Sequence, residues 1–304
     1  MSKKYTVLLA LLLVAVLAFA CGKPAETPAP PAQEPAPAET PAQAETPTPA
    51  ETPAPAEEGI KGKIVVVGST SVSPTIEKLA ADFMANVEPG VDIEVQSVGS
   101  SAGVKAAEDG TGNIGMSSRE LKEEEKGFGL DEYVLGFDGI AVIAHPTNEV
   151  KDLTSEQIQK IFAGEITNWS EVGGKDAAII VVSREEGSGT RGAFEELMKL
   201  DKDVLVTDDA VIAEGNGAVK AQVASKEDSI GYLSLSYLDE SVQELKVDGV
   251  EGTPENIKNG SYKVSRPFLL LTKGDKDEAV AAFYEYFKTD AAKKIIEDQH
   301  LILQ

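Results

Sequence analysis

Residues 63–86 read KIVVVGSTSVSPTIEKLAADFMAN, and in them a strand passes through a tight turn into a helix. Lys63 to Val67 is a short β-branched run of the kind that forms a buried strand. Pro74 to Asn86 reads as a helix, and Ser73 before Pro74 fits an N-cap followed by proline at the first helical position. Gly68-Ser69-Thr70-Ser71 joins the two. The same order returns along the chain. Val91 to Val95, Ile140 to Ala144 and Ile179 to Val182 read as buried strands, and 102–109, 155–162, 190–200 and 218–225 read as helices. Thr154-Ser155-Glu156-Gln157 fits a capping box ahead of the apolar positions Ile158, Ile161 and Phe162. Such alternation predicts an α/β fold with mostly parallel sheets flanked by helices. About 246 residues from Gly59 onward is long for one doubly wound sheet, so two lobes are expected. Phe283, Tyr284, Tyr286 and Phe287 read as the core face of a packing helix near the C-terminus.

Three strand-to-helix turns share one chemistry: Gly68-Ser69-Thr70-Ser71, Gly99-Ser100-Ser101-Ala102-Gly103 and Gly187-Ser188-Gly189-Thr190. Each puts glycine and hydroxyls at a helix N-terminus, where backbone N–H groups lack partners and the helix dipole is positive. Glycine lets a ligand approach the backbone, and a Ser or Thr hydroxyl rotates to suit it. Three converging turns of this kind suit a tetrahedral oxyanion. Arg184 lies four residues before Ser188, and its guanidinium can fork two hydrogen bonds to an anion, with Glu186 expected to hold it. Other chemistries lack their residues. No G-x-x-x-x-G-K-[ST] occurs, so a nucleotide-binding P-loop is not supported. Glu123-Glu124-Glu125 reads as a solvated helical face, and no nucleophile or base stands out.

The ends and the totals set the context. Lys3 and Lys4 precede an apolar run from Val7 to Phe19, which reads as a secretory signal over residues 1–21. The run ends in Ala18-Phe19-Ala20-Cys21, which resembles a bacterial lipoprotein cleavage site with Cys21 as the lipidated residue. Ala18 stands where leucine is usual, and ordinary secretory cleavage after Ala20 is the alternative. Residues 22–58, rich in Pro, Ala, Glu and Thr, have too little to bury to offset the entropy of ordering and read as a disordered tether. At ~3.1 Å per residue it spans up to ~100 Å. The formal charge of the chain is -23, from 28 basic and 51 acidic residues. From Gly59 on, 25 basic and 44 acidic residues remain, so the acidity belongs to the folded part. This excludes nucleic acid as a partner, since its binders rely on displacing counterions with basic residues. Two histidines and one cysteine exclude a Cys/His zinc site and an intramolecular disulfide.

The chain resembles the phosphate-binding proteins of ABC-type phosphate uptake systems, in their lipoprotein form, over about residues 60–304. The likeness rests on 68–74 (GSTSVSP), 99–105 (GSSAGVK), 114–119 (IGMSSR), 138–142 (DGIAV), 161–169 (IFAGEITNW), 184–191 (REEGSGTR) and 265–267 (SRP). It implies a two-lobed periplasmic-binding-protein fold of type II with a hinge, lobe 1 being 59–138 and 266–304 and lobe 2 being 139–265. It also implies phosphate ligands at Thr70, Ser71, Ser100, Arg184, Ser188, Gly189 and Thr190, and no cofactor. Well-studied members carry an aspartate where this chain has Ser118, and that carboxylate accepts the proton that distinguishes phosphate from sulfate. Asp138, opening a buried strand, is expected to supply the acceptor instead; a structural pair with Arg119 is the alternative. The expected protein is a non-enzymatic, monomeric carrier, lipid-anchored outside the cell membrane, that hands inorganic phosphate to permease subunits. The competing readings are a binder of sulfate, molybdate or tungstate, a phosphate-ester hydrolase, and a surface adhesin or sensor on the same fold.

Overall fold

The structure, a computed structural model, describes residues 59–200 and 203–303. The signal peptide, the tether and Cys21 lie outside the described residues. In chain order the elements are β1 (Gly62–Gly68), α1 (Ser73–Asn86), β2 (Val91–Ser97), α2 (Ser100–Asp109), β3 (Ile114–Ser117), β4 (Leu130–Ala144), β5 (Asp152–Leu153), α3 (Ser155–Phe162) and β6 (Ile180–Arg184). There follow α4 (Gly189–Leu197), β7 (Val211–Ala213), α5 (Gly215–Ser225), β8 (Ser229–Ser234), β9 (Gln243–Val247), α6 (Pro254–Lys258), β10 (Ser265–Lys273), α7 (Glu278–Tyr286) and α8 (Asp290–Glu297).

The helix starts follow from local chemistry. Thr154 and Gln157 close the expected capping box at α3. At α1 the cap is displaced: Ser73 is already helical, and Ser69 does the capping, its Oγ accepting from the N–H groups of Ser71 (3.2 Å) and Val72 (3.4 Å). The cause is that the turn itself begins to coil, with the Ser73 N–H donating to the Ser69 carbonyl at 3.0 Å. Helix α4 stops at Leu197, short of the expected Leu200, as Lys199 enters the left-handed region at φ 56°.

Strand order is β2-β1-β3-β10-β4-β8-β6-β7, with β9 beside β4 and β5 beside β9. Strand β1 runs parallel to β2 and β3, and β6 runs parallel to β7 and β8. The antiparallel pairs all involve two long crossing strands. Residues 130–139 of β4 pair with β10, and Ile140 to Ala144 pair with β8, so one continuous strand serves two packed regions. One large hydrophobic cluster contains Ile64, Ile76, Phe83, Met116, Phe268 and Phe283, a second contains Ile140, Phe162, Trp169, Val182, Phe194 and Tyr232, and a small third joins Val104, Ala107, Leu121, Leu269 and Leu271. The members of the two large clusters change over between Leu135 and Ile140 on β4 and between Val264 and Phe268 around the start of β10. The expected aromatic face of α7 is real: Phe283 stacks edge-on against Phe287 at 4.6 Å, and both are buried.

The first two turns are held together by backbone touching backbone. A Cβ on Gly103 of α2 would lie 2.5 Å from the Met116 carbonyl oxygen and 2.7 Å from that of Val67. A Cβ on Gly68, whose φ is +142°, would lie 2.3 Å from the same Met116 oxygen. These atoms belong to strands in the sheet and cannot swing aside. Gly103→Ala is therefore expected to lower the unfolding free energy by about 1–3 kcal/mol through overpacking, read as an earlier urea midpoint. An unchanged midpoint would show that α2 can lift off the sheet without cost.

Candidate functional site

Arg184 ends β6, where the burial pattern of the strand carries it inward until it is 1 % exposed. Its backbone is fixed from the core. The Arg184 N–H donates to the Tyr232 hydroxyl at 3.3 Å, that hydroxyl also meets Ser183 Oγ at 2.9 Å, and the Tyr232 ring stacks on Phe194 at 3.9 Å. Burial pushes the Tyr232 hydroxyl up to about 12, so it remains protonated at any working pH.

The side chain is held by Glu185, not by Glu186 as expected. Arg184 Nε and Nη2 donate to the two Glu185 carboxylate oxygens at 2.8 and 2.7 Å. The strand ends at Arg184 and the chain turns back, with the Ser188 N–H reaching the Glu185 carbonyl at 3.3 Å, while the Gly215 N–H fixes the Glu185 carboxylate at 3.1 Å. Burial alone would raise the Glu185 carboxyl, but the bonds from Arg184 and the attraction to it prevail and leave it below the usual carboxylate range. Arg184 Nη1 donates to Asn216 Oδ1 at 3.2 Å, and Nη2 also donates to Thr70 Oγ1 at 3.0 Å. This last bond joins the third turn's strand to the first turn.

The three turns meet. Ser71 Oγ lies 2.8 Å from Thr190 Oγ1, across 119 positions of sequence, and accepts from Asn216 Nδ2 at 2.9 Å. Ser100 Oγ accepts from the Ser118 N–H at 3.1 Å and lies 3.4 Å from the Ser118 hydroxyl. Gly189 packs against both: a Cβ there would fall 2.1 Å from Ser100 Oγ and 2.7 Å from Ser118 Oγ. The Ser101 N–H donates to the Gly187 carbonyl at 3.1 Å. Ser188 is the N-cap of α4, its Oγ accepting from the Arg191 N–H at 3.2 Å. Thr70, Ser71, Ser100, Ser118, Arg184, Ser188, Gly189 and Thr190 are thus gathered in one place, at the N-termini of α1, α2 and α4.

Asp138 stands behind this cluster. It is fully buried, pairs with Arg266 at 2.9 Å through Oδ2 and accepts from Ser234 Oγ at 3.0 Å through Oδ1. The alternative pairing with Arg119 does not form. Arg119 instead makes a bidentate bridge to Glu125, at 2.6 and 2.8 Å, and reaches Ser101 Oγ at 3.2 Å. Glu125 is accordingly buried, and the solvated face expected of the glutamate run does not extend to it. Burial pushes the Asp138 carboxyl up to about 6 against the opposing pull of Arg266.

Three contributors have no counterpart in the sequence reading, Asn216, Ser234 and Tyr237, and Arg266 entered it only within the 265–267 motif, with no role given to it. Asn216 is the second residue of α5, between two glycines at a fourth strand-to-helix turn, Gly215-Asn216-Gly217, and that is the signal by which it was findable. The Tyr237 hydroxyl donates to the Thr70 carbonyl at 3.0 Å. Beside the cluster lies a cavity of about 280 Å³ lined by Arg119, Lys122, Glu186, Arg191 and Glu195 among others. Among the described residues, no group of three or more His, Cys, Asp or Glu side chains is arranged to hold a metal ion. The chemistry on offer is hydroxyl and N–H donation around two buried guanidinium groups, each neutralised by one carboxylate.

A family model described as the PBP superfamily domain matches residues 40–291. The phosphate-binding protein PstS of Bacillus subtilis (strain 168) is 33 % identical over 252 residues, covering 81 % of this chain and 82 % of the relative. PstS of Borreliella burgdorferi is 29 % identical over 248 residues, covering 78 % and 88 %. Among solved structures, a substrate-binding protein assigned to a phosphate ABC transporter of Clostridium perfringens, with bound phosphate, is 48 % identical with a TM-score of 0.78, covering 80 % of this chain and all of the other. An ABC-type phosphate transport receptor from Vibrio cholerae is 37 % identical with a TM-score of 0.69, covering 79 % of this chain and all of the other. With its two large clusters, its crossing strands and this extent of likeness, the chain belongs to the PBP superfamily, in the family of its PstS relatives.

Proposed function

We infer that this protein captures inorganic phosphate between its two lobes and delivers it to the permease of an ABC transporter. The observation that carries the reading is the meeting of Ser71 with Thr190 and of Thr70 with Arg184, polar atoms drawn from opposite hydrophobic clusters. A tetrahedral oxyanion can bond both sides at once and so favours the closed arrangement. Thr70, Ser71, Ser100 and Ser118 contribute from one side, and Arg184, Ser188, Gly189 and Thr190 from the other. We take the lobes to divide at Asp138/Gly139 and Ser265/Arg266, where β4 leaves β10 for β8.

The relatives named above are binding and transport proteins, and the same reading gives this chain a carrier's role and no reaction of its own. A lipid on Cys21 would anchor it to the outer face of the membrane, with 22–58 as tether and the folded part as a monomer. Sulfate, molybdate and tungstate are the competing ligands. Asp138, the expected acceptor, also holds Arg266: its oxygens accept from Ser234 and Arg266, and each keeps a second lone pair.

Phosphate is expected to raise the melting temperature and to reduce the radius of gyration in small-angle scattering, and Arg184→Ala to abolish both responses. Their retention would remove Arg184 from the site. Affinity is expected to change little with ionic strength, because a ligand held inside a closed cleft by dipoles and paired arginines is shielded from charges beyond the ~8 Å screening length of physiological salt. Calorimetric titrations across a salt series check this, and a steep decline would mean that bulk charge drives binding.

A further inference from the structure

Arg184 and Arg266 are both buried guanidinium groups, but they spend their donors differently. An arginine carries five N–H groups: one on Nε and two on each Nη. Arg184 has a partner at every nitrogen, namely Glu185, Asn216 and Thr70. Arg266 is 3 % exposed, and only its Nη2 is engaged, with Asp138 Oδ2 at 2.9 Å and Ser71 Oγ at 3.4 Å. Its Nε and Nη1 are buried without a hydrogen-bond partner. Three N–H groups of a cation are therefore withdrawn from water and unanswered, a costly state that calls for a specific acceptor.

The location says what the acceptor is. Arg266 and Asp138 are direct cross-strand partners on β10 and β4, two positions before Ile140, where β4 first pairs with β8. Phe268 lies beneath the guanidinium, 5.6 Å from its central carbon, and Asp138 fixes one end, so the group is oriented before any ligand arrives. Through Ser71 it is one hydrogen bond from Thr190, at the point where the turns of the two clusters meet. Its electrostatic reach extends to Arg184. A second set of unspent N–H donors here suits a ligand with several acceptor oxygens.

We propose, on the reading of the cleft as a phosphate site, that Arg266 is a second guanidinium ligand of the anion, binding through Nη1, and that Asp138 is the residue that positions it. Arg184 then organises the cleft wall while Arg266 brings the larger unspent donor capacity. Recognition of a tetrahedral oxyanion then draws on the crossing strands as well as on the three turns.

The test is calorimetry with inorganic phosphate on three proteins: the wild type, the double variant Arg266→Gln with Asp138→Asn, and Arg266→Lys. The double variant removes one charge of each sign, so the net charge of the site is unchanged and no lone carboxylate is left buried. It is expected to keep the urea midpoint of the unliganded protein and to lose phosphate affinity by roughly tenfold or more, the worth of one charge-assisted bond. Arg266→Lys keeps the charge and the pairing with Asp138 but removes the planar fork, and is expected to lose roughly tenfold or more. This single variant decides the matter if the double variant fails to fold. Phosphate affinity within about threefold of wild type in a folded variant would overturn the proposal and leave the pair as a hydrated structural bridge. A wild type that binds no phosphate would overturn both the proposal and the reading of the site.

Discussion

A guanidinium taken almost wholly out of water must find acceptors, and the demand made by Arg184 organises the cleft. Its position is set from the aromatic core through Tyr232, its charge is met by Glu185, and its remaining donors reach Asn216 and Thr70. Truncating one partner of such a pair would leave the other charge buried, so the neighbouring loops are constrained to keep their geometry. The turn after β6 has to bring Glu185 back, α5 has to start with Asn216 in reach, and the first turn has to offer a hydroxyl. Turns that are individually ordinary become a site because one buried cation needs all of them.

The local half of this was legible in the residues. The three turns announce themselves by glycine, hydroxyls and a helix start, all within five residues, and the core strands by unbroken β-branched runs. What was not legible depends on distance or on small geometric choices. Asp138 and Arg266 are 128 positions apart, and nothing near either names the other. Glu185 and Glu186 are chemically alike, and only the sharpness of the turn after β6 selects the first. Strand β3 is four residues with a glycine, IGMS, and β10 holds Pro267 two residues from its start, so both lack the usual strand signal. Glu125 lies at the end of a charged run whose composition says surface, and its bond to Arg119 is a tertiary fact.

The departure at Ser118 has a structural counterpart. Where well-studied members carry a carboxylate, two hydroxyls stand 3.4 Å apart, Ser100 and Ser118, with the backbone of Gly189 tight against them. Neutral hydroxyls both donate and accept, so this part of the cleft is less committed to one protonation state of a ligand than a carboxylate would be. The net charge of -23 is compatible with an anionic ligand because bulk charge is screened over ~8 Å at physiological salt and binding depends on the local field. In the cleft, Glu185 and Asp138 are already matched by Arg184 and Arg266, and three helix N-termini each add about half a positive charge.

The central claim is that one phosphate bridges the two sides of the closed cleft, and a crystal structure of the protein grown with phosphate tests it most directly. The expected density is a single tetrahedral anion in hydrogen-bond contact with the Thr70, Ser71 and Ser100 side and with the Arg184 and Ser188 to Thr190 side at once. An anion confined to one side, or seated in the neighbouring cavity among Arg119, Lys122 and Arg191, would contradict it.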